Sequence, residues 1–238
     1  DAQRTPGGGR RGPGMAAPRE VSAWLHVAED GSVTVFTGKV ELGQNIRTSL
    51  AQAVAEELRA PLDSVTLVMA DTARTPFDMG TFGSQTTPIM NRQLRRAAAA
   101  ARAQLIDLAA ERLGVPRGEL AAAKGEIRHA GTGHSLKYGE LTRGQKLLKS
   151  IGDDQPLMSA VQWEVAGRSI KKVNGRSLVT GSHHYASDIQ RPRMRHGKVL
   201  RAPAVGSKLA SVDTAAAEAM PDVLVVHEGE FVGVVAPD

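Results

Sequence analysis

Hydrophobic and polar residues alternate in two runs near the start of the chain, within VSAWLHVAEDGSVTVFTG at residues 21–38. The segment Glu29-Asp30-Gly31-Ser32 separates the two runs and has Asp-Gly at its centre. Alternation with a period of two places successive side chains on opposite faces of a strand, and Asp-Gly is typical of a tight hairpin turn. The pattern therefore predicts a β-hairpin.

Helical periodicity follows the hairpin. Apolar residues recur every three or four positions over residues 46–58, with Pro61 just past the end, and this spacing predicts a helix. A β-branched run at residues 65–69 predicts a strand. The alanine-rich residues 94–113 predict the longest helix, and Gly114 stands where helices commonly end.

The pattern after Gly114 is shorter and more mixed. A short helix is expected near residues 117–123, followed by a strand pair at residues 126–129 and 135–138. Residues 146–176 are then irregular and rich in charge, with Gly152, Pro156, Gly167 and Gly175 interrupting the pattern, and we expect them to form a linker. The elements expected beyond it are strands at residues 197–201, 208–213, 223–227 and 231–235 and a helix at residues 214–220.

Strands that alternate with helices indicate layered packing, so we expect an α+β fold with α/β layers. A length of 238 residues allows one large domain or two small ones. Glycine, proline and arginine dominate the first twenty residues, a composition typical of disorder. We divide the chain into a disordered tail at residues 1–20, a first unit at 21–145, a linker at 146–176 and a second unit at 177–238.

Composition excludes several kinds of site. Cysteine is absent, which removes disulfides, thiolate metal sites, iron–sulfur clusters and cysteine nucleophiles from this chain. No Walker A, dinucleotide-binding, HExxH or Gly-x-Ser-x-Gly motif occurs. No apolar run approaches the roughly 18 residues of a membrane span. We therefore assign no catalytic residue and no metal ligand, and we expect no membrane span.

Positive charge is concentrated in one part of the chain. The net charge is +5, but the stretch from Arg168 to Lys208 has ten basic residues and a single acid, Asp188. Such a stretch is typical of a solvated face or of a surface that meets an acidic chain, and it also suits steering of an anionic ligand. Since few aromatic residues accompany the charge, we expect no nucleic-acid partner.

Two glycine-containing segments are candidates for chemistry. The first, Lys39-Val40-Glu41-Leu42-Gly43-Gln44-Asn45, lies between a predicted strand and the start of a predicted helix. Backbone N–H groups and the helix dipole at such a junction favour a phosphate or carboxylate. Alternatively, Gly43 makes the turn and Asn45 caps the helix.

The second segment, Met79-Gly80-Thr81-Phe82-Gly83-Ser84-Gln85-Thr86-Thr87, precedes the longest predicted helix. Its hydroxyl and amide groups suit a polyanionic or pterin-like ligand, although serine and threonine also form ordinary turns and caps. Asp71 and Asp78 flank this segment as either a carboxylate pair or turn-forming residues.

Taken together, the two segments resemble the molybdenum-binding large subunit of the xanthine dehydrogenase and aldehyde oxidase family. Val40-Glu41-Leu42-Gly43-Gln44 is similar to that family's Glu-Met-Gly-Gln-Gly segment, and residues 80–87 are similar to its Gly-Thr-x-Gly-Ser-Arg-Thr-Thr segment. Residues 172–176 and 197–203 resemble the opening of its α/β hammerhead domain. The order of the segments resembles that of isoquinoline 1-oxidoreductase beta subunits.

The resemblance implies part of a molybdopterin-binding domain followed by a partial, truncated α/β hammerhead domain. It also implies the N-terminal portion of a molybdenum hydroxylase large subunit, a dehydrogenase that oxidises an aldehyde or N-heterocycle with water as the oxygen source. The cofactor would be a molybdenum–pterin, as molybdopterin or its cytosine dinucleotide form. The residues that the family pattern assigns to cofactor binding are Leu42, Gly43, Gln44, Gly80, Thr81, Gly83 and Ser84.

Three residues depart from the family pattern: Leu42 replaces a methionine, Asn45 replaces the second glycine, and Gln85 replaces an arginine. The family's catalytic glutamate segment has no match, so we expect no turnover by this chain alone. The implied partners are the remainder of the large subunit, an iron–sulfur small subunit, a cytochrome and a small-molecule substrate. We expect a periplasmic protein with an upstream export signal, with the cytoplasm left open.

A different class of function also fits the sequence. A non-catalytic binding or assembly module would dock a partner through the basic stretch at residues 168–208. Such a module would hold its partner without cofactor and would lose it as salt is added.

Overall fold

The computed structural model describes residues 17–152 and 154–237. The chain divides after Gly175 into two compact units, called unit 1 and unit 2. Most of the expected disordered tail, residues 1–16, lies outside the described residues. Residues 17–20 are part of unit 1, because the carbonyl of Pro18 accepts a hydrogen bond from the indole of Trp24 at 2.9 Å and Glu20 bridges to Ser150.

A three-stranded sheet forms the first layer of unit 1, in the order β1-β2-β3. The predicted hairpin is present as β1 (Leu25–Val27) paired antiparallel with β2 (Val33–Thr37). Helix α1 (Ile46–Leu58) then leads to β3 (Val65–Met69), which pairs parallel with β2 and places Met69 opposite Thr37. These bounds match the periodicity of the sequence.

Helix α2 (Asn91–Leu113) packs on α1 and continues from a π-helical turn at Thr86–Met90. The side chains of residues 97–101 are all alanine and all buried, which brings the two helices close together. Gly114 ends α2 in the left-handed conformation, as the sequence predicts.

A second three-stranded sheet covers the far end of α2. Its strands are β4 (Leu120–Ala123), β5 (Glu126–His129) and β6 (Ser135–Lys137), followed by the short helix α3 (Tyr138–Thr142). The helix expected at residues 117–123 is wrong: only a 3₁₀ turn forms, and the segment continues as β4. Pairing with β5 overrides the helical preference of the alanines in β4.

The segment expected to be a linker, residues 146–176, lies against unit 1 almost to its end. Glu56 and Glu57 are buried on α1, and their carboxylates bind this segment. Glu56 Oε2 accepts the backbone N–H groups of three consecutive residues at 2.7–2.9 Å, and Glu57 accepts that of Met158 at 3.1 Å. The guanidinium of Arg95 lies 2.6 Å from Glu57.

Unit 2 contains a small antiparallel sheet in the order β7-β9-β8. Helix α4 (Gly175–Val179) starts at the division between the units. The strands are β7 (His196–Val199), β8 (Leu224–Glu228) and β9 (Phe231–Ala236), and helix α5 (Ala215–Glu218) precedes β8. The predicted strand at residues 208–213 is wrong, since these residues pair with no strand in the described part of unit 2. Val232 is the one buried hydrophobic residue that unit 2 has among those described.

Mixed helices and small sheets confirm the α+β class. Along residues 17–152 and 154–237, no helix has both the length and the apolar character that a membrane crossing requires.

Candidate functional site

The two candidate segments leave the same edge of the first sheet. Strands β2 and β3 are parallel, so their carboxyl ends at Thr37 and Met69 lie side by side. Residues 38–45 follow β2, and residues 70–85 follow β3. We call them the first and second loops. Ligands of layered α/β sheets characteristically bind outside the carboxyl ends of the strands, so this edge is where a site is expected.

Direct contacts join the two loops. The ammonium of Lys39 lies 2.8 Å from Asp78 Oδ1 and donates to the carbonyl of Gly80 at 2.6 Å. The backbone N–H of Val40 donates to the hydroxyl of Thr81 at 2.8 Å. Gly38 permits this approach, since a Cβ there would lie only 2.5 Å from the Cβ of Asp78. The two loops are therefore held together by direct contacts.

Glu41 shapes the first loop from within. Its buried carboxylate accepts the backbone N–H groups of Gly43 at 2.7 Å, Asn45 at 3.1 Å and Arg47 at 2.9 Å. Burial by itself raises the pKa of Glu41. These three hydrogen bonds and the charge of Lys172 outweigh burial, and the pKa lies below its ordinary value of 4.5.

The start of α1 is capped by Glu41 and not by Asn45. Asn45 occupies the N-cap position with a left-handed φ of 70°, and its side chain makes no capping hydrogen bond. The alternative interpretation, in which Asn45 caps the helix with its side chain, is therefore wrong. Asparagine instead supplies the left-handed backbone that a glycine would otherwise provide.

Gln44 lies exposed at the tip of the first loop. Its amide nitrogen donates to the carbonyl of Val40 at 2.8 Å, and its amide oxygen accepts the N–H of Leu42 at 2.6 Å. Both ends of the side chain thus bind the backbone of their own loop. This arrangement holds the amide at the surface, beside Gly43, which has a φ of 104°.

The second loop presents backbone donors. Gly80, Gly83 and Ser84 have positive φ values of 124°, 62° and 54°. Within residues 17–152, the backbone N–H groups from Thr81 to Ser84 have no protein acceptor. Consecutive N–H groups in such a loop form a concave donor set that suits anionic or carbonyl oxygens. The hydroxyl of Ser84 is exposed beside them.

The two loops also expose large apolar side chains. Leu42, Phe77, Met79 and Phe82 are each between 65% and 71% exposed, and all four belong to the two loops. We call them the loop patch. Exposed apolar side chains concentrated in one place are typical of a surface that another molecule covers.

Lys172 extends the site beyond the two loops. Its ammonium donates to the carbonyl of Gly43 at 2.8 Å, and the next N–H, of Val173, donates to the hydroxyl of Thr48 at 3.1 Å. The sequence alone does not indicate this contact, because residues 43 and 172 are joined only through tertiary packing. It places the start of the basic stretch against the first loop.

The structure also decides the roles of the flanking aspartates. Asp78 pairs with Lys39 and accepts the N–H of Gly80 at 2.8 Å, whereas Asp71 forms a local turn by accepting the N–H of Ala73 at 3.0 Å. Both aspartates therefore accept a backbone N–H two residues later, as turn-forming residues do, and Asp78 also joins the two loops. In the described part of the chain, no cluster of three or more His, Cys, Asp or Glu residues has the arrangement of a metal site.

Comparisons with known proteins agree on one family. The model of the molybdopterin cofactor-binding domain matches residues 5–190. The chain is 40% identical over 227 residues to a subunit of the nicotinate dehydrogenase of Pseudomonas putida, covering 92% of this chain and 19% of that protein. It is 29% identical over 241 residues to the beta subunit of isoquinoline 1-oxidoreductase of Brevundimonas diminuta, covering 85% and 31%.

A solved structure is also similar. Reconstituted CO dehydrogenase from Oligotropha carboxidovorans matches 50% of this chain and 15% of its own, with 29% identity and a TM-score of 0.46. The chain spans less than a third of the length of each of these three proteins.

Proposed function

This chain belongs to the molybdopterin cofactor-binding domain family, and on that premise we propose that it is the N-terminal portion of a molybdenum hydroxylase large subunit. In this proposal the first and second loops contribute part of the binding site for a molybdenum–pterin cofactor. When bound, that cofactor supplies the redox centre for oxidation of the substrate. This chain supplies binding and orientation.

One observation carries the proposal: two loops with the family's motifs meet at the carboxyl ends of β2 and β3. The chemistry of their donors fits the cofactor, because the backbone N–H groups of the second loop from Thr81 to Ser84 have no acceptor in the described part of the chain. Gln44 adds a side-chain amide with one donor and one acceptor end. A pterin ring and a phosphate both present oxygen or nitrogen acceptors to such groups.

The individual residues have distinct roles in this proposal. Gln44 releases the carbonyl of Val40 and donates its amide to the cofactor. Gly43, Gly80 and Gly83 keep the backbone free of side chains where a ligand approaches closely. Ser84 donates its hydroxyl. Two further residues frame the site: Leu42, whose side chain is exposed, and Thr81, whose hydroxyl joins the loops.

We propose an N-heterocycle as the substrate ahead of an aldehyde. The names of the nicotinate and isoquinoline enzymes refer to compounds that are both N-heteroaromatic. An iron–sulfur small subunit would accept the electrons and pass them to a cytochrome. Turnover requires the remainder of the large subunit in this proposal.

The test is cofactor retention. This chain is coexpressed with the part of the P. putida nicotinate dehydrogenase subunit that lies outside the 227-residue match. Molybdenum is measured by mass spectrometry, and pterin by fluorescence after oxidative release. We expect both in the purified complex, and we expect Gln44→Ala to lower both at least about tenfold, as loss of a positioning contact at a metal centre typically does.

The matched control is Gln145→Ala, which removes an exposed glutamine of unit 1 outside both loops. We expect it to retain wild-type molybdenum and pterin. Unaltered molybdenum and pterin in folded Gln44→Ala would count against the assignment, as would equal losses in the two variants.

A second candidate, the non-catalytic docking module, is favoured by one observation. Among residues 176–237, no lysine or arginine forms an ion pair with a carboxylate, although this part of the chain contains most of the basic stretch. Retention of a partner that needs no molybdenum and falls steeply with salt would favour this candidate.

A further inference from the structure

The described residues of unit 2 form no hydrophobic core of their own. Val232 is its one buried hydrophobic residue in the described chain, whereas the buried core cluster lies entirely in unit 1. A unit of about 60 residues is marginally stable even with a well-packed core. Apolar contacts that cover this sheet would therefore stabilise unit 2.

The sheet of unit 2 has an open apolar groove of about 470 Å³. Val225 and Val234 form its floor, and Lys198 ends their row at the edge of the groove, because Lys198 and Val225 both lie opposite Val234 in the sheet register. Val232 extends the floor along β9, and Ala217 of α5 contributes to one wall. Most of the exposed lining is apolar, so an occupant must present an apolar face.

The charged residues that line the groove are Lys198, Arg201 and Asp213, so its charged lining is net positive. Neither Lys198 nor Arg201 lies in an ion pair within residues 176–237. No acidic residue occurs between Asp188 and Asp213. An occupant with carboxylates near Lys198 and Arg201 would gain charge-assisted contacts there.

We infer that this groove binds an amphipathic, acid-flanked helix of the polypeptide that completes the large subunit. The inference rests on the proposed function. The apolar floor fits the hydrophobic stripe of a helix, and Lys198 and Arg201 fit acidic residues beside that stripe.

The small number of buried apolar residues in unit 2 indicates which polypeptide supplies the helix. A partner that exchanges would leave unit 2 without a core each time it dissociated, and permanent interfaces are the more apolar class. The relatives are three to five times longer than the stretch they share with this chain. They therefore contain further polypeptide of the same subunit, and such a polypeptide would form a permanent interface with this chain.

The experiment uses the full 238-residue chain with an affinity tag, coexpressed with the same part of the nicotinate dehydrogenase subunit. We expect co-purification, and we expect protection from hydrogen exchange at residues 196–201 and 224–236 in the complex. The variant Lys198→Glu/Arg201→Glu should retain at least about tenfold less companion, since like charges now meet across the groove. Val234→Asp should reduce retention of the companion to a similar extent, because it places a charge in the apolar floor of the groove.

The control is Arg143→Glu/Lys146→Glu, which makes the same change of charge at exposed positions of unit 1. It should bind as the wild type does. Lys198 and Arg201 are exposed, so their reversal leaves the sheet intact, and circular dichroism checks this. Equal retention by the groove variant and the control overturns the inference, as does failure of the wild type to bind. A chain that instead dimerises through unit 2, by light scattering and hydrogen exchange, also overturns it.

Molybdenum content separates this inference from the proposed function. If the groove variants reduce capture of the companion polypeptide but the wild-type complex contains no molybdenum or pterin, the docking surface is supported and the cofactor role is contradicted. If the complex contains molybdenum but the groove variants bind the companion as the wild type does, the cofactor role is supported and the docking surface is overturned.

Discussion

The carboxylate of Glu41 accepts the backbone N–H of Arg47 at 2.9 Å, across the turn that contains Gly43 and Gln44. One side chain thus closes the first loop and caps α1. The glutamate of the first loop's motif is therefore responsible for the shape of the loop that carries Leu42, Gly43 and Gln44.

Replacing Glu41 with glutamine should destabilise unit 1. The amide has only one oxygen for the N–H groups of Gly43, Asn45 and Arg47, and it has no charge. Hydrogen bonds to charged groups contribute about 1.5–3 kcal/mol each, so we expect Glu41→Gln to lower the unfolding free energy by roughly 2 kcal/mol at neutral pH. Chemical denaturation measures this, with the exposed Glu111→Gln as control.

The same variant should flatten the pH dependence of stability. Because the pKa of Glu41 is lowered on folding, its stabilisation is present above the unfolded-state pKa of about 4.5 and is lost as the pH falls through the lower folded-state pKa. As the pH falls below about 5, the wild type should lose stability more steeply than Glu41→Gln. Parallel curves for the two proteins would contradict this account.

Glu57 should be among the most sensitive positions of unit 1. It is fully buried between Arg95 and the backbone of Met158, and removing one partner of a buried pair costs about 3–5 kcal/mol. We expect Glu57→Ala to lose that much unfolding free energy and to become cleavable by protease at residues 154–162. Glu164→Ala removes an exposed carboxylate near Arg59 and should change stability by less than about 1 kcal/mol.

Gly38 should not tolerate a methyl group. A Cβ there would lie 2.5 Å from the Cβ of Asp78 and 2.9 Å from the carbonyl of Pro76, so Gly38→Ala should push the loops apart at a cost of about 1–3 kcal/mol. It should also lower molybdenum retention in the coexpressed complex. Gly118→Ala, where a Cβ meets nothing within 4 Å, should leave retention unchanged.

The loop patch should make the isolated chain self-associate. Leu42, Phe77, Met79 and Phe82 are all exposed on the two joined loops, and exposed apolar surface of this kind drives association. Light scattering should show oligomers that become smaller in Phe77→Ser/Met79→Ser/Phe82→Ser. Val161→Ser removes an exposed apolar residue outside the patch and should have no such effect. A monodisperse wild-type monomer would contradict this prediction.

Local periodicity predicts the elements that position the site. The bounds of α1 and β3 follow from side-chain spacing alone, because their apolar faces are formed within each element. The wrong predictions, at residues 117–123 and 208–213, depend on strand pairing, which a local pattern does not contain.

The site itself is predictable only in part. Glycines and the family motif locate the loops, but the assigned roles of Leu42, Gly43, Gln44, Gly80, Thr81, Gly83 and Ser84 stay predictions. The capping by Glu41 depends on the left-handed backbone of Asn45. The contact between Lys172 and Gly43 depends on packing across more than 100 residues of sequence.

The carboxylates of Glu56 and Glu57 also impose an order of assembly. Their partners lie about 100 residues later in the chain, so residues 154–166 have nowhere to attach until α1 exists and is packed on α2. Closing so long a loop is entropically costly. Folding of unit 1 should therefore end at this segment, and unfolding should begin there.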